Sequence, residues 1–93
     1  MKTTIADLVT PHLFRVVDIA SQAESGANVD WHVRDAVART IGELAHQYNA
    51  RELCAAYIQG LEGAADEATR ARRLHARVLQ AAVQTARGLQ GRV

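Results

Sequence analysis

The 93-residue chain holds one cysteine, one proline, one lysine (Lys2) and only four aromatic residues. Each shortage excludes something. A lone Cys54 allows no internal disulfide and no cysteine-built zinc site, and it fits a reducing cytoplasm. No apolar run nears the roughly 20 residues of a bilayer-crossing helix, so no membrane association is expected. The N-terminus does not read as a signal peptide. Asp7 comes early, and Pro11, His12, Arg15 and Asp18 interrupt the next two helical turns, so no apolar h-region forms. Aromatics make up 4% of the chain (Phe14, Trp31, Tyr48 and Tyr57), and alanine supplies a large part of the 48% hydrophobic content. Few large side chains are therefore available to fill a core, unless a second copy helps. No Gly-rich phosphate loop, nucleophile elbow or paired-carboxylate arrangement is present. Cys54 falls in an apolar run that favours a buried, inert thiol. No catalytic residue, cofactor or metal is expected.

What is present points to a single all-α domain over residues 1–93. No segment alternates with the period of a strand. Turn signals divide the chain into a small antiparallel bundle of three to four helices, at about 4–25, 29–48, 50–62 and 64–88. Thr4 and Asp7 are spaced as a capping box. At Thr10–Pro11 two readings stand: the helix restarts there, or it runs on with a kink. Leu13, Val16, Val17 and Ala20 form one face, widened by Phe14 and Ile19, and Gly26 ends the unit. Asn28 or Asp30 caps the second helix. Val33, Val37, Ile41, Leu44 and Tyr48 then form the clearest amphipathic stripe in the chain. Beside it, Ala38, Gly42 and Ala45 suggest the close approach of another helix. Asn49, with Glu52 three residues on, reads as the start of the third helix, and Gly60 and Gly63 as its end. The fourth helix is then the longest, about 36 Å. Its seam of Ala71, Leu74, Val78 and Ala81 is expected to project beyond the third helix, where a second chain or a partner would cover it.

Charge is unevenly divided. Residues 1–47 carry four basic and six acidic groups, and residues 48–93 carry seven basic and four acidic. From Ala68 onward there are six arginines and no acid. Arg70, Arg73, Arg77, Gln80, Gln84 and Arg87 recur at helical spacing, which predicts one face of a single long helix. Such a row suits carboxylates or phosphates, since guanidinium groups pair with both. An ordinary solvated helix face has the same pattern. The sequence pI of about 8.0 lies below the range above about 9 that marks a basic nucleic-acid footprint, and no aromatic shares that face to stack bases. Trp31, at the start of the second helix, is expected to staple the incoming loop to the core; left exposed, it would anchor an interface. His12, His32, His46 and His75 are scattered and expected at the surface.

The expected function is a non-enzymatic, cytoplasmic protein-interaction module. It would occupy a partner's surface through Arg70, Arg73, Arg77, Gln80, Gln84, Arg87 and Trp31. The expected partner is a protein with an acidic surface or a second copy of the chain as a homodimer. A nucleic-acid-associated protein that sets the same arginines on phosphates is the alternative. The arginine-for-lysine preference and the alanine content suggest a GC-rich bacterial or phage genome. Adaptors, secretion chaperones and inhibitors such as anti-CRISPR proteins are often of this size and composition, an analogy of type alone.

Overall fold

The computed structural model describes residues 4–91. Helix α1 (Ile5–Ser21) begins where the capping box closes. The Asp7 N–H donates to the Thr4 hydroxyl at 3.1 Å, and the Thr4 N–H donates to the Asp7 carboxylate at 3.2 Å. The helix runs unbroken through Pro11. The Thr10 hydroxyl does not cap a new helix; it donates back to the Ala6 carbonyl at 2.7 Å. Pro11 lies on the exposed side, where the backbone carbonyl it leaves unpaired can meet water. A 3-10 turn, Gln22–Ser25, comes next, and Gly26 ends it at φ +90°, a conformation that glycine adopts without strain.

Helix α2 (Asp30–Leu44) puts Val33, Val37, Ile41 and Leu44 into the core. It stops four residues before the expected end. The His46 and Gln47 N–H groups bond to the Glu43 and Leu44 carbonyls, tightening the chain into a turn, and Tyr48 is left fully exposed. The small-residue stripe faces outward: Ala38, Gly42 and Ala45 are exposed, and nothing approaches the place of a Gly42 Cβ. No helix packs there.

Helix α3 (Ala50–Arg70) starts after Asn49, although the Asn49 side chain makes no capping bond. It corrects the expected division of the chain, because Gly60 and Gly63 lie inside it. An interior glycine costs a helix only about 1 kcal/mol relative to alanine. Leu53, Cys54, Tyr57, Ile58, Leu61, Ala65 and Ala68 form a continuous buried face that outweighs this cost. Helix α4 (Ala76–Gln90) is consequently shorter than α3, with 15 residues against 21, or about 22 Å. Its buried face is Val78, Leu79, Ala82, Val83 and Ala86. The expected apolar overhang does not exist, since Ala71 and Leu74 belong to the turn between α3 and α4.

Packing runs around the bundle in the order α1, α3, α4, α2, and back to α1. Leu8 and His12 lie near Leu44 and Leu53, at the start of α1, the end of α2 and the start of α3. Leu13 meets Gly60, and Glu24 meets His75. Thus α1 is antiparallel to α2 and parallel to the adjacent α3, and the α2–α3 connection crosses the diagonal of the bundle. Tyr57 and Leu61 have no exposed surface and belong to the same core as Cys54, Val16 and Val37.

Gly60 and Gly63 separate the two effects of a helical glycine. A Cβ at Gly60 would collide with the Leu13 side chain, whereas at Gly63 it would meet open space. Gly63→Ala is expected to raise the unfolding free energy by about 1 kcal/mol. Gly60→Ala should fall short of that gain by about 1 kcal/mol or more, because Leu13 must move aside. In a Leu13→Ala background the two substitutions should converge. Urea melts measure this, and equal gains in the wild-type background would contradict the packing.

Candidate functional site

The α3–α4 turn is closed by backbone bonds. The Arg72 N–H donates to the Thr69 carbonyl at 3.1 Å and the Arg73 N–H to the Ala68 carbonyl at 2.9 Å. This is a Schellman closure with Arg72 in the left-handed position, φ +55°, where glycine is usual. A Cβ in that region costs about 1–2 kcal/mol. A second fastening comes from 51 residues away. The His75 N–H donates to Glu24 Oε2 at 2.6 Å, and His75 Nδ1 lies 2.7 Å from the same oxygen. Glu24 thus caps α4, whose own first turn contains no acid. Hydrogen bonds from the His75 side chain and backbone hold the Glu24 carboxyl below the usual carboxylate range. The His75 and Arg73 charges add to this, against the cost of desolvation.

This turn divides the expected arginine row. Arg70 ends α3, Arg73 lies in the turn, and Arg77, Gln80, Gln84 and Arg87 lie on α4. Arg87 pairs with Glu62 at 2.7 Å, and the Gln80 amide donates to the Thr69 hydroxyl at 3.1 Å, so both hold α4 to α3. Gln84 is exposed. In place of a row there is a cluster. Arg72, Arg73, Leu74 and Arg77 line one open hollow of about 560 Å³ that extends from Thr69 to Gln80. Arg70 stands beside it at the end of α3. All four arginines are exposed, and none makes an ion pair among the described residues. Leu74, in the same turn, is 72% exposed.

Three residues outside the row emerge only from the fold. Arg72 and Leu74 belong to the cluster because a turn forms at Ala71–His75, where no glycine or proline signals one. Glu24 belongs to it through a long-range contact that no local pattern reveals. Two aromatic expectations are also corrected. Trp31 is 74% exposed, which excludes the staple and leaves the reading of an exposed interface anchor standing; Val29, at 3% exposure, is the buried residue at the start of α2. Phe14, assigned to the core face of α1, is 69% exposed.

The histidines divide in the same way. His32 and His46 are exposed, but His75 is fastened to Glu24, and His12 sets its ring edge-on against Tyr57, 6.5 Å between centroids. Burial pushes the Tyr57 phenol up to about 12, against smaller opposing effects of the Thr40 hydroxyl and the Arg15 charge. Cys54 is fully buried, and burial raises its thiol pKa, so it is poorly placed as a nucleophile. Among the described residues no three His, Cys, Asp or Glu side chains group as metal ligands.

Arg72→Gly is expected to stabilise the chain by about 1 kcal/mol in urea melts, through relief of the left-handed strain. Arg72→Val should destabilise it, and the reverse order would mean that the turn is not left-handed. A carboxylate with a lowered pKa stabilises the folded state above the usual carboxylate range, and the effect is lost as pH falls through the folded-state value. Glu24→Gln should therefore be less stable than wild type at neutral pH, and the difference should close in acid. A difference that persists below the carboxylate range would assign the effect to packing.

No protein-family model, curated protein or solved structure matches this chain, so its function rests on the geometry of this turn and the surfaces around it.

Proposed function

We propose that the chain is a non-enzymatic protein-interaction module that occupies an acidic partner surface through the α3–α4 turn. Leu74 is the anchor, Arg72, Arg73 and Arg77 share its hollow, and Arg70 precedes it at the end of α3. The observation that carries this reading is the exposed leucine that shares a hollow with three arginines, none of them in an ion pair among the described residues. Interfaces concentrate their energy in a desolvated apolar centre with arginine close by. A guanidinium group engages a carboxylate with two parallel hydrogen bonds. The strained backbone at Arg72 supports the same reading, because such strain gathers at binding sites. An adaptor, a chaperone or an inhibitor of the anti-CRISPR type would each act in this way, by covering a surface. The cytoplasm, where Cys54 would stay reduced, is the fitting compartment.

Nucleic acid is the rival partner, and the same arginines would serve it. Phosphate binding gives Leu74 no role, however, and no aromatic lines the hollow to stack a base.

Fluorescence anisotropy separates the two. A labelled peptide alternating glutamate and leucine should bind, with Leu74→Ala weakening it roughly fivefold or more and Arg72→Glu with Arg77→Glu abolishing it. A single-stranded oligonucleotide should bind only at low salt and should be indifferent to Leu74. Tighter binding of the oligonucleotide than of the peptide at equal salt, with Leu74→Ala silent in both, would overturn the proposal.

A further inference from the structure

The cationic turn has a counterpart at the other end of the bundle. A pocket of about 240 Å³ opens between the start of α1, the end of α2 and the start of α3. Leu44 and Leu53, both buried, line it together with Leu8, which is 46% exposed. Its polar lining includes His12, Glu43 and Asn49. Among the described residues Glu43 makes no ion pair, Asn49 makes no capping bond, and His12 Nδ1 is buried with no hydrogen-bond partner. Polar groups at buried positions ordinarily find partners. An apolar pocket with a few unpartnered polar groups converging on it has the composition of a binding site. Asp7 and Glu52 stand at the same end, in the first turns of α1 and α3, with Arg51 next to Glu52 in sequence.

Such a pocket takes an apolar side chain with a cation close to it. The leucines meet the apolar part, and the Glu43 carboxylate meets the charge. The α3–α4 turn presents that combination, with Leu74 exposed and Arg72, Arg73 and Arg77 in the same hollow. The 21 residues of α3 separate the turn from the pocket, a distance of about 31 Å, so no copy can seat its own turn in its own pocket. We propose that the two surfaces join copies of the chain head to tail. Leu74 of one copy enters the pocket of the next, and the arginines beside it face Glu43. This rests on reading the turn as a site for an acidic partner, and it names that partner as a second copy. Complementary charge supports this occupant: three arginines without ion pairs line the hollow at one end, and a carboxylate without one lines the pocket at the other. A contact between two different surfaces does not close at two copies, so the assembly grows by addition. One turn seated in one pocket is smaller than a standard interface of about 800 Å² per partner, and the association is weak and readily reversed.

Sedimentation equilibrium from micromolar to millimolar concentrations tests the proposal. The wild-type mass should rise with concentration and pass that of a dimer. Leu74→Asp, which spoils the turn, and Glu43→Arg, which spoils the pocket, should each weaken association roughly tenfold or more. Both side chains are exposed in the protomer, so thermal midpoints should stay near that of wild type. An equimolar mixture of the two variants should form a one-to-one dimer at concentrations where neither does alone, because the intact turn of one meets the intact pocket of the other. A wild type that stays monomeric at millimolar concentration, a mass that levels off at two copies, a Glu43→Arg variant that associates normally, or a mixture that stays monomeric would overturn the proposal. A glutamate–leucine peptide that binds a chain which itself stays monomeric overturns the head-to-tail contact alone. Leu74→Asp silent in both assays overturns the acidic-partner reading with it.

Discussion

The Arg73 N–H reaches back to the Ala68 carbonyl at 2.9 Å, and Glu24 holds the His75 N–H at 2.6 Å. Between them these bonds fix where α3 stops and α4 starts, and most of the surface depends on that. Because the chain turns at Ala71–His75, Leu74 cannot join the seam of α4 and is left exposed. Because the chain reverses with Arg72 in the left-handed position, Arg72, Arg73 and Arg77 meet at one hollow with Leu74 instead of lining a rod. Because α3 continues past Gly60 and Gly63, it is long enough to lie against α1 and form the groove beside Phe14. The backbone bonds are local and the Glu24 bond is not, so the turn also ties the first half of the chain to the second.

The parts of the fold that were legible in the sequence are those set by near neighbours. The Thr4–Asp7 box involves residues three apart, and it forms. Val33, Val37, Ile41 and Leu44 recur with a helical period, and all four are buried. Gly26 sits where only glycine is comfortable, and it ends its unit. The failures have one physical source: competition that a local pattern does not contain. Gly60 and Gly63 read as a stop because glycine weakens a helix, yet the buried face around Tyr57 and Leu61 supplies more than the two glycines take away. The true stop lies in Ala-Arg-Arg-Leu-His, a run with no turn former, and is enforced by backbone bonds and by Glu24. Phe14 lies beside a real apolar face on α1, and only the position of α3 decides that it stands outside.

The candidate site was half legible for the same reason. The arginine-rich region was evident from composition, and Arg70, Arg73 and Arg77 remain in the proposed surface. Their arrangement was not evident, because spacing predicts a row only on an uninterrupted helix. Gln80 and Arg87 are drawn into the α3–α4 contact by Thr69 and Glu62, partners that become neighbours only once the two helices fold back on each other. The net charge of +1 conceals a chain that sets four arginines without ion pairs within eight residues of one turn, beside an exposed apolar residue. The proposed docking surface rests on that juxtaposition rather than on the number of arginines.

Everything at the proposed surface requires that the chain turn at Ala71–His75 and not at its glycines. Backbone chemical shifts of the labelled protein in solution test this most directly. We predict uninterrupted helical carbon shifts from Ala50 through Arg70, including Gly60 and Gly63, and a left-handed signature at Arg72. Helical shifts running from Arg70 through Ala76, with the break at Gly60–Gly63, would contradict that turn and would restore the arginines to a single row.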